Sequence, residues 1–156
     1  MDAFIGTIDA KTDVKGRVFV PASFRKILQS SGESRLILRK DVYQDCLVLH
    51  PKKNWEEVLN KLQSQLNEWD EDEQQLFRQF SWLTENLEID SSGRILIPKK
   101  YLQMANISGT ICFMGMNSTI ELWNPDSLVK SMLSADAFKN RVKKTLGSKP
   151  ANEKPD

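Results

Sequence analysis

Two short stretches of this 156-residue chain set chemically active side chains at the same spacing: Asp13-Val14-Lys15-Gly16-Arg17 and Asp90-Ser91-Ser92-Gly93-Arg94. The chemistry follows from the residue types. Glycine admits a positive φ at a tight turn, where a side chain adds steric cost. An aspartate three residues earlier can accept backbone N–H groups and tighten that turn. The arginine then leaves the turn at the first strand position, where its planar fork can reach a carboxylate, a phosphate or a guanine edge. Two readings stay open from this chemistry alone. Arg17 and Arg94 can pair back on Asp13 and Asp90 and hold the turns, or they can face an external anion; both hold if the aspartate orients the arginine. Lys15 lies inside the first loop, Arg25 and Lys26 follow Pro21, and Lys99 and Lys100 follow Pro98. The candidate binding set is therefore Asp13, Lys15, Arg17, Arg25, Asp90 and Arg94, with Gly16 and Gly93 as turn formers.

Other chemistry is sparse. The single histidine, His50, stands beside Pro51 with no Ser, Cys or Asp at a catalytic spacing, so a structural or surface role is expected. Cys46 and Cys112 fall in apolar runs without metal-ligand spacing and read as two reduced core thiols. No glycine-rich phosphate loop and no metal cluster is visible. No catalytic residue, metal, cofactor or small-molecule substrate is expected, and an enzyme is the disfavoured class.

Composition sets wider bounds. With 40% apolar residues the chain can bury a core. No run approaches the length of a membrane span, and Met1-Asp2-Ala3-Phe4 does not open like a signal peptide, so a cytoplasmic location is expected. Net charge is only +1, but it is unevenly spread. Residues 11–40 carry eight basic and two acidic side chains, whereas 52–90 carry four basic and ten acidic. Such segregation can make one face attract phosphates and another repel them.

The elements that must hold the two loops are themselves repeated. Val18-Phe19-Val20-Pro21 recurs as Ile95-Leu96-Ile97-Pro98, 77 residues on, with Phe24 matched by Tyr101. Leu47-Val48-Leu49-His50 is echoed by Ile120-Glu121-Leu122-Trp123 at an offset of 73, which places a loop four residues longer in the first copy, between Arg35 and Cys46. Each copy reads as strand, tight turn, strand, short helix and then a strand or hairpin. The apolar triplets read as strands buried on both faces. The prolines end them and open helices that bury Phe24, Ile27 and Leu28, or Tyr101, Leu102 and Ala105.

Between the copies, Asn54 with Glu57 resembles a capping box, and Trp55, Val58, Leu59, Leu62, Leu66 and Trp69 follow helical spacing. Asp70 with Glu73 reads as the cap of a second helix carrying Leu76, Phe77, Phe80 and Leu83. These stripes read as core or subunit interface. Asn124-Pro125 starts a further helix through Leu133, and Ser134 caps a last one with Phe138, Val142 and Leu146 on one face and Gly147 as its stop.

Phe4-Ile5-Gly6, then Asp13 to Arg17, Pro21 and Phe24-Arg25, together with the second loop and Glu121-Leu122-Trp123, resemble the signatures of the MraZ family over about residues 4 to 146. The resemblance implies an α+β, β-rich fold: a pseudo-twofold, swapped-hairpin AbrB-like β-barrel made of two tandem repeats, with a helical insertion and C-terminal helices. The corresponding division is 4–51 for the first AbrB-like repeat, 52–84 for the insertion, 85–124 for the second repeat, 125–147 for the C-terminal helices and 148–156 for a disordered tail. It also implies a nucleoid-associated DNA-binding regulator, a repressor of the division and cell-wall gene cluster. Its partners would be double-stranded promoter DNA with tandem repeat boxes and further copies of itself in a ring. In that family the Asp-x-x-x-Arg motifs carry DNA binding, which maps onto Asp13, Arg17, Asp90 and Arg94. Because Ser92 stands where the first copy has Lys15, the first loop, with Lys15 and Arg25 around it, is expected to carry more of the binding than the second. The competing class is an AbrB-like protein-interaction or antitoxin-type scaffold.

Overall fold

The duplicated pattern of apolar triplet, proline and apolar hairpin yields the same succession of elements twice. A computed structural model describes residues 2–147; the expected tail, 148–156, lies outside the described residues. The first copy forms β1 (Thr7–Lys11), β2 (Arg17–Phe19), α1 (Ala22–Ser30), β3 (Arg35–Lys40) and β4 (Leu47–Pro51). The second forms β5 (Thr84–Glu88), β6 (Arg94–Leu96), α4 (Lys99–Met104), β7 (Thr110–Met116) and β8 (Thr119–Trp123). Between them lie α2 (Lys52–Gln65) and α3 (Glu71–Trp82); after them come α5 (Pro125–Ser131) and α6 (Ala135–Val142), which runs into a π-helical turn at Lys143–Gly147. Six residues join β3 to β4 and two join β7 to β8, which is the four-residue difference that the two sequence offsets require.

The copies interlock rather than sit side by side. Six antiparallel strands follow the order β1-β7-β8-β4-β3-β5, so the first strand of each copy pairs with the hairpin of the other. The order maps onto itself when the two copies are exchanged. The exchange axis passes between β4 and β8, where Leu47 faces Leu122 and Leu49 faces Ile120. It also passes through a separate two-stranded ribbon, β2 with β6, where Val18 faces Ile95. The expected barrel is open: β1 and β5 are the edges of the larger sheet, and the ribbon is hydrogen-bonded to neither.

One core serves both halves. Val18, Val20, Phe24, Leu28, Leu36, Leu38, Leu47 and Leu49 pack with Ile95, Ile97, Tyr101, Ala105, Ile111, Phe113, Ile120 and Leu122. Each fully buried aliphatic side chain contributes on the order of 1.5–3 kcal/mol, so neither half keeps its core if the other is removed. Phe4 meets Phe24 edge-on at 5.5 Å and closes one end. Cys46 and Cys112 are buried free thiols in a smaller cluster with Trp123 and Leu128. Burial pushes their pKa values up, to about 12 and about 11, which keeps both protonated at neutral pH.

Several expectations need correction. The triplets are not buried on both faces: Val18, Val20, Ile95 and Ile97 point inward, but Phe19 is 54% exposed and Leu96 53%. A two-stranded ribbon has only one face on the core, so strand alternation turns the middle residue of each triplet to solvent. Asn54 caps nothing. Helix α2 begins at Lys52, directly after Pro51, and Asn54 within it meets His50 Nδ1 at 2.7 Å through its Oδ1. That helix also stops at Gln65, which leaves Trp69 in the following loop, 87% exposed. Helix α5 ends at Ser131 rather than Leu133. The other caps are present: the Asp70 side chain accepts from Glu73 N, Asn124 from Asp126 N and Ser127 N, and Ser134 from Ala137 N. His50 has a structural place. It is buried, accepts from Arg39 Nε at 2.9 Å through Nε2, and stacks edge-on against Trp55 at 5.0 Å.

Candidate functional site

Each Asp-x-x-Gly-Arg loop is a closed hydrogen-bonded turn, and the two turns are built alike. Asp13 Oδ1 accepts from the backbone N–H groups of Lys15 and Arg17, both at 2.9 Å, and Asp90 Oδ1 accepts from Ser92 and Arg94 at the same distances. The backbone of Gly16 donates to the Asp13 carbonyl, and that of Gly93 to the Asp90 carbonyl. Both glycines have positive φ, +93° and +89°, a region in which an L side chain is strained. The backbone hydrogen bond from the motif arginine is the main cause that holds each aspartate below the usual carboxylate pKa, with the arginine side chain lowering it further. Both aspartates are therefore charged whenever the arginines need a partner.

The arginines pair back on their aspartates, in a geometry that leaves the second reading open. Arg17 Nε donates to Asp13 Oδ2 at 2.6 Å and Arg94 Nε to Asp90 Oδ2 at 3.0 Å. A guanidinium carries five N–H donors, and no other hydrogen bond engages these two groups among the described residues. Each aspartate fixes the azimuth of its arginine through Nε and leaves the two Nη groups for another acceptor. Arg17 and Arg94 side chains are about one-third exposed (37% and 32%).

The ribbon brings the loops together. Val20 N donates to the Gly93 carbonyl at 3.0 Å and Ile97 N to the Gly16 carbonyl at 2.9 Å, so each turn is stitched to the far end of the other copy's strand. Register places Arg17 opposite Leu96 and Phe19 opposite Arg94. Alternation then puts Arg17, Phe19, Arg94 and Leu96 on one outward face, with Val18 and Ile95 beneath. The Arg94 guanidinium carbon lies 5.9 Å from the Phe19 ring centroid, within reach of a cation–π contact.

Arg25 is where the sequence misleads. It was expected beside the first loop and instead crosses to the second: its Nη1 approaches the Ser92 carbonyl at 3.5 Å, and its side chain covers the position a Cβ on Gly93 would occupy. The residue 77 positions later, Leu102, takes the mirrored place over Gly16, with its Cδ1 3.4 Å from that Cβ position. Each loop thus sits under the helix of the other copy. A depression of about 570 Å³ beside the second loop is lined by Arg25 and Lys26 from α1, and one of about 360 Å³ beside the first by Lys99 from α4. The first loop carries Lys15 and Arg17; the second carries Arg94 and receives Arg25. Arg25 thus supplies beside the second loop a cation that Ser92 does not.

One group of ligating side chains was invisible in the spacing. Asp41, Cys46 and Glu121 bring their ligand atoms within 4.8 Å of one another. Arg39 lies 3.9 Å from Asp41, and Trp123 Nε1 donates to Glu121 at 2.8 Å. The Arg39 guanidinium answers part of the carboxylate charge and the Cys46 thiol stays protonated, and we assign no metal to them.

Comparison with known proteins agrees with this architecture. The family model described as MraZ protein, a description that also carries the words antitoxin-like, matches residues 3–78 and 83–140. A protein of Bacteroides thetaiotaomicron named Transcriptional regulator MraZ is 50% identical over 138 residues, 88% of each chain. The protein of that name from Phocaeicola vulgatus is 45% identical over 145 residues, covering 93% of this chain and 94% of its own. One from Shewanella oneidensis is 31% identical over 129 residues, 83% of this chain and 84% of its own. No helix among the described residues is long and apolar enough to cross a membrane. With two interlocked copies of the loop-bearing fold, and relatives of that name matching over nearly its whole length, the chain belongs to the MraZ family.

Proposed function

We propose that this chain is a sequence-specific DNA-binding transcriptional regulator that represses the division and cell-wall gene cluster by binding repeated boxes in promoter DNA. The observation that carries the proposal is the outward ribbon face. It presents two arginines, each oriented by its own aspartate with both Nη groups available, and is flanked by Lys15 and Arg25. Bidentate recognition of guanine O6 and N7 requires such a fixed planar fork. Lys15 and Arg25 are placed to contact phosphates and set the register of the protein on the duplex. Asp13 and Asp90 act by holding the arginines, and Gly16 and Gly93 by forming the turns. The names of the relatives support regulation of transcription. A regulator of this kind works in the cytoplasm, at the nucleoid.

A nearly neutral monomer offers one modest cationic surface, so tight binding calls for several in register. We assign a ring of identical copies to this role. Phe138, Val142 and Leu146 on the C-terminal helical segment, and Leu76 and Trp82 on α3, are exposed apolar side chains suited to contact between copies. The insertion is acidic, and residues 139–144 are basic, which favours a head-to-tail arrangement. Copies held at fixed spacing on tandem boxes gain about 10²–10⁴ in avidity over one site.

A gel shift with the promoter fragment upstream of the gene, comparing the native chain with Arg17→Ala, tests the reading. The variant should bind about 5- to 150-fold more weakly, the range of one bidentate base contact, while its circular dichroism is unchanged. Native binding should fall steeply with added salt. Equal binding by a folded Arg17→Ala protein refutes the assignment. The same exposed helices favour a second reading, a scaffold that binds a protein partner; this reading requires no salt-sensitive shift with any duplex.

A further inference from the structure

We propose that Phe19 and Leu96 are specificity-determining residues that read thymine methyl groups in the major groove between the two arginines. The inference rests on the DNA-binding reading above and goes beyond it, because neither residue belongs to the Asp-x-x-Gly-Arg motif. The two side chains are related by the exchange of copies and occupy the same outward position on the ribbon. Both are more than half exposed, although their strand neighbours Val18 and Ile95 are almost fully buried. Each stands directly across the ribbon from an arginine, Phe19 from Arg94 and Leu96 from Arg17, at the separation of a cross-strand pair.

The chemistry of this face selects its occupant. A face on which two apolar side chains alternate with two arginines fits a polyanion that also presents apolar groups at the base of its groove. A two-stranded ribbon fits the major groove, and the thymine 5-methyl is the apolar group on the base edges there. The geometry is also fixed in advance: Arg94 is held by Asp90 on one side and lies against the Phe19 ring on the other. An arginine reading guanine through its Nη groups would therefore carry Phe19 to the neighbouring step at a set distance. The same holds for Arg17 with Leu96, where the smaller side chain leaves the guanidinium without an aromatic support.

The experiment uses the full-length protein. A duplex enriched from a random-sequence library by the native chain is synthesised twice, once with thymine and once with uracil at every thymine, a change that removes only the methyl groups. Affinities are read by fluorescence anisotropy. The native protein should bind the uracil duplex about four-fold more weakly for each methyl contacted, from about 0.8 kcal/mol per buried carbon. The double variant Phe19→Ser, Leu96→Ser should bind both duplexes alike with an unchanged salt slope, and Phe19→Leu should retain discrimination. An enriched sequence without thymine, equal native binding to both duplexes, or a double variant that keeps the native ratio would each overturn the proposal while leaving DNA binding in place. Loss of the native oligomeric size in the double variant, measured by light scattering, would overturn it by making this face a contact between copies. Failure of the native chain to enrich or bind any duplex would refute the DNA-binding reading itself.

Discussion

The glycines of the two loops occupy equivalent places in the sequence motif, yet replacing each by alanine should have different consequences. Both alanines would sit at φ near +90°, which costs about 1–2 kcal/mol, partly offset by about 0.4–1 kcal/mol from a less flexible unfolded chain. The difference lies in what the new methyl meets. At Gly16 it collides with the carbonyl oxygen of Ile97, whose own N–H donates to the Gly16 carbonyl, so backbone must move and a ribbon hydrogen bond is at risk. Adding about 1 kcal/mol for that bond and the displacement of a buried strand end, Gly16→Ala should cost about 3 kcal/mol. At Gly93 the three atoms nearest the methyl all belong to the Arg25 side chain, which can swing away. Gly93→Ala should therefore cost only about 1 kcal/mol in urea denaturation, yet weaken DNA binding about as much as Arg25→Ala does. Equal destabilisation by the two alanines would refute this account of the crossed loops, as would a Gly93→Ala protein that binds DNA like the native chain.

Two further predictions concern the core. His50 is buried, with its pKa lowered to about 4 chiefly by desolvation. The unfolded chain therefore takes up the proton first, and stability should be full above about pH 6.5 and fall by about 3 kcal/mol as the pH drops to 4. Urea titrations at several pH values should show that slope in the native protein and not in His50→Gln; Asp13 and Asp90, with depressed pKa values, lose their contribution only below that window. The Tyr101 hydroxyl is buried with no hydrogen-bond partner among the described residues, and the equivalent position in the first copy is Phe24. Tyr101→Phe should raise stability by about 1 kcal/mol, and a drop in the denaturation midpoint would contradict the assignment.

What the sequence revealed, and what it hid, follows from the range of the forces involved. The turns were legible because Asp13, Gly16 and Arg17 act on one another within five residues. The caps at Asp70, Asn124 and Ser134 are equally local. The unequal hairpin loops were legible because a repeat is a comparison the chain makes with itself. Asn54 shows the opposite case: its motif suits a cap, but Pro51 had already started the helix and the buried imidazole of His50 claimed the amide. The outward turn of Phe19 and Leu96 was hidden because a three-residue apolar strand is too short to display alternation. Arg25 was hidden for a different reason. Its neighbours in sequence belong to the first copy, while its contact belongs to the second, and the interlocking of the copies, with β2 paired to β6 and Val20 tied to Gly93, carries it there.

That interlocking also explains what fusing two copies into one chain makes possible. In a dimer of identical subunits every crossed contact must occur twice in the same form. Here the exchange axis relates unlike residues: Lys15 to Ser92, Phe19 to Leu96 and Arg25 to Leu102. The substitutions compensate one another across the axis. The loop without a lysine lies under an arginine, and the loop with one lies under a leucine. Each loop thereby keeps two cationic side chains, Lys15 and Arg17 or Arg94 and Arg25, while the shapes around them diverge, with an aromatic ring beside Arg94 and an aliphatic side chain beside Arg17. A surface with equal cations at each loop but unequal shape has a direction. On the reading proposed above it engages phosphates evenly along the groove but distinguishes one end of a box from the other, so each copy in a ring can lie on tandem boxes in the same orientation.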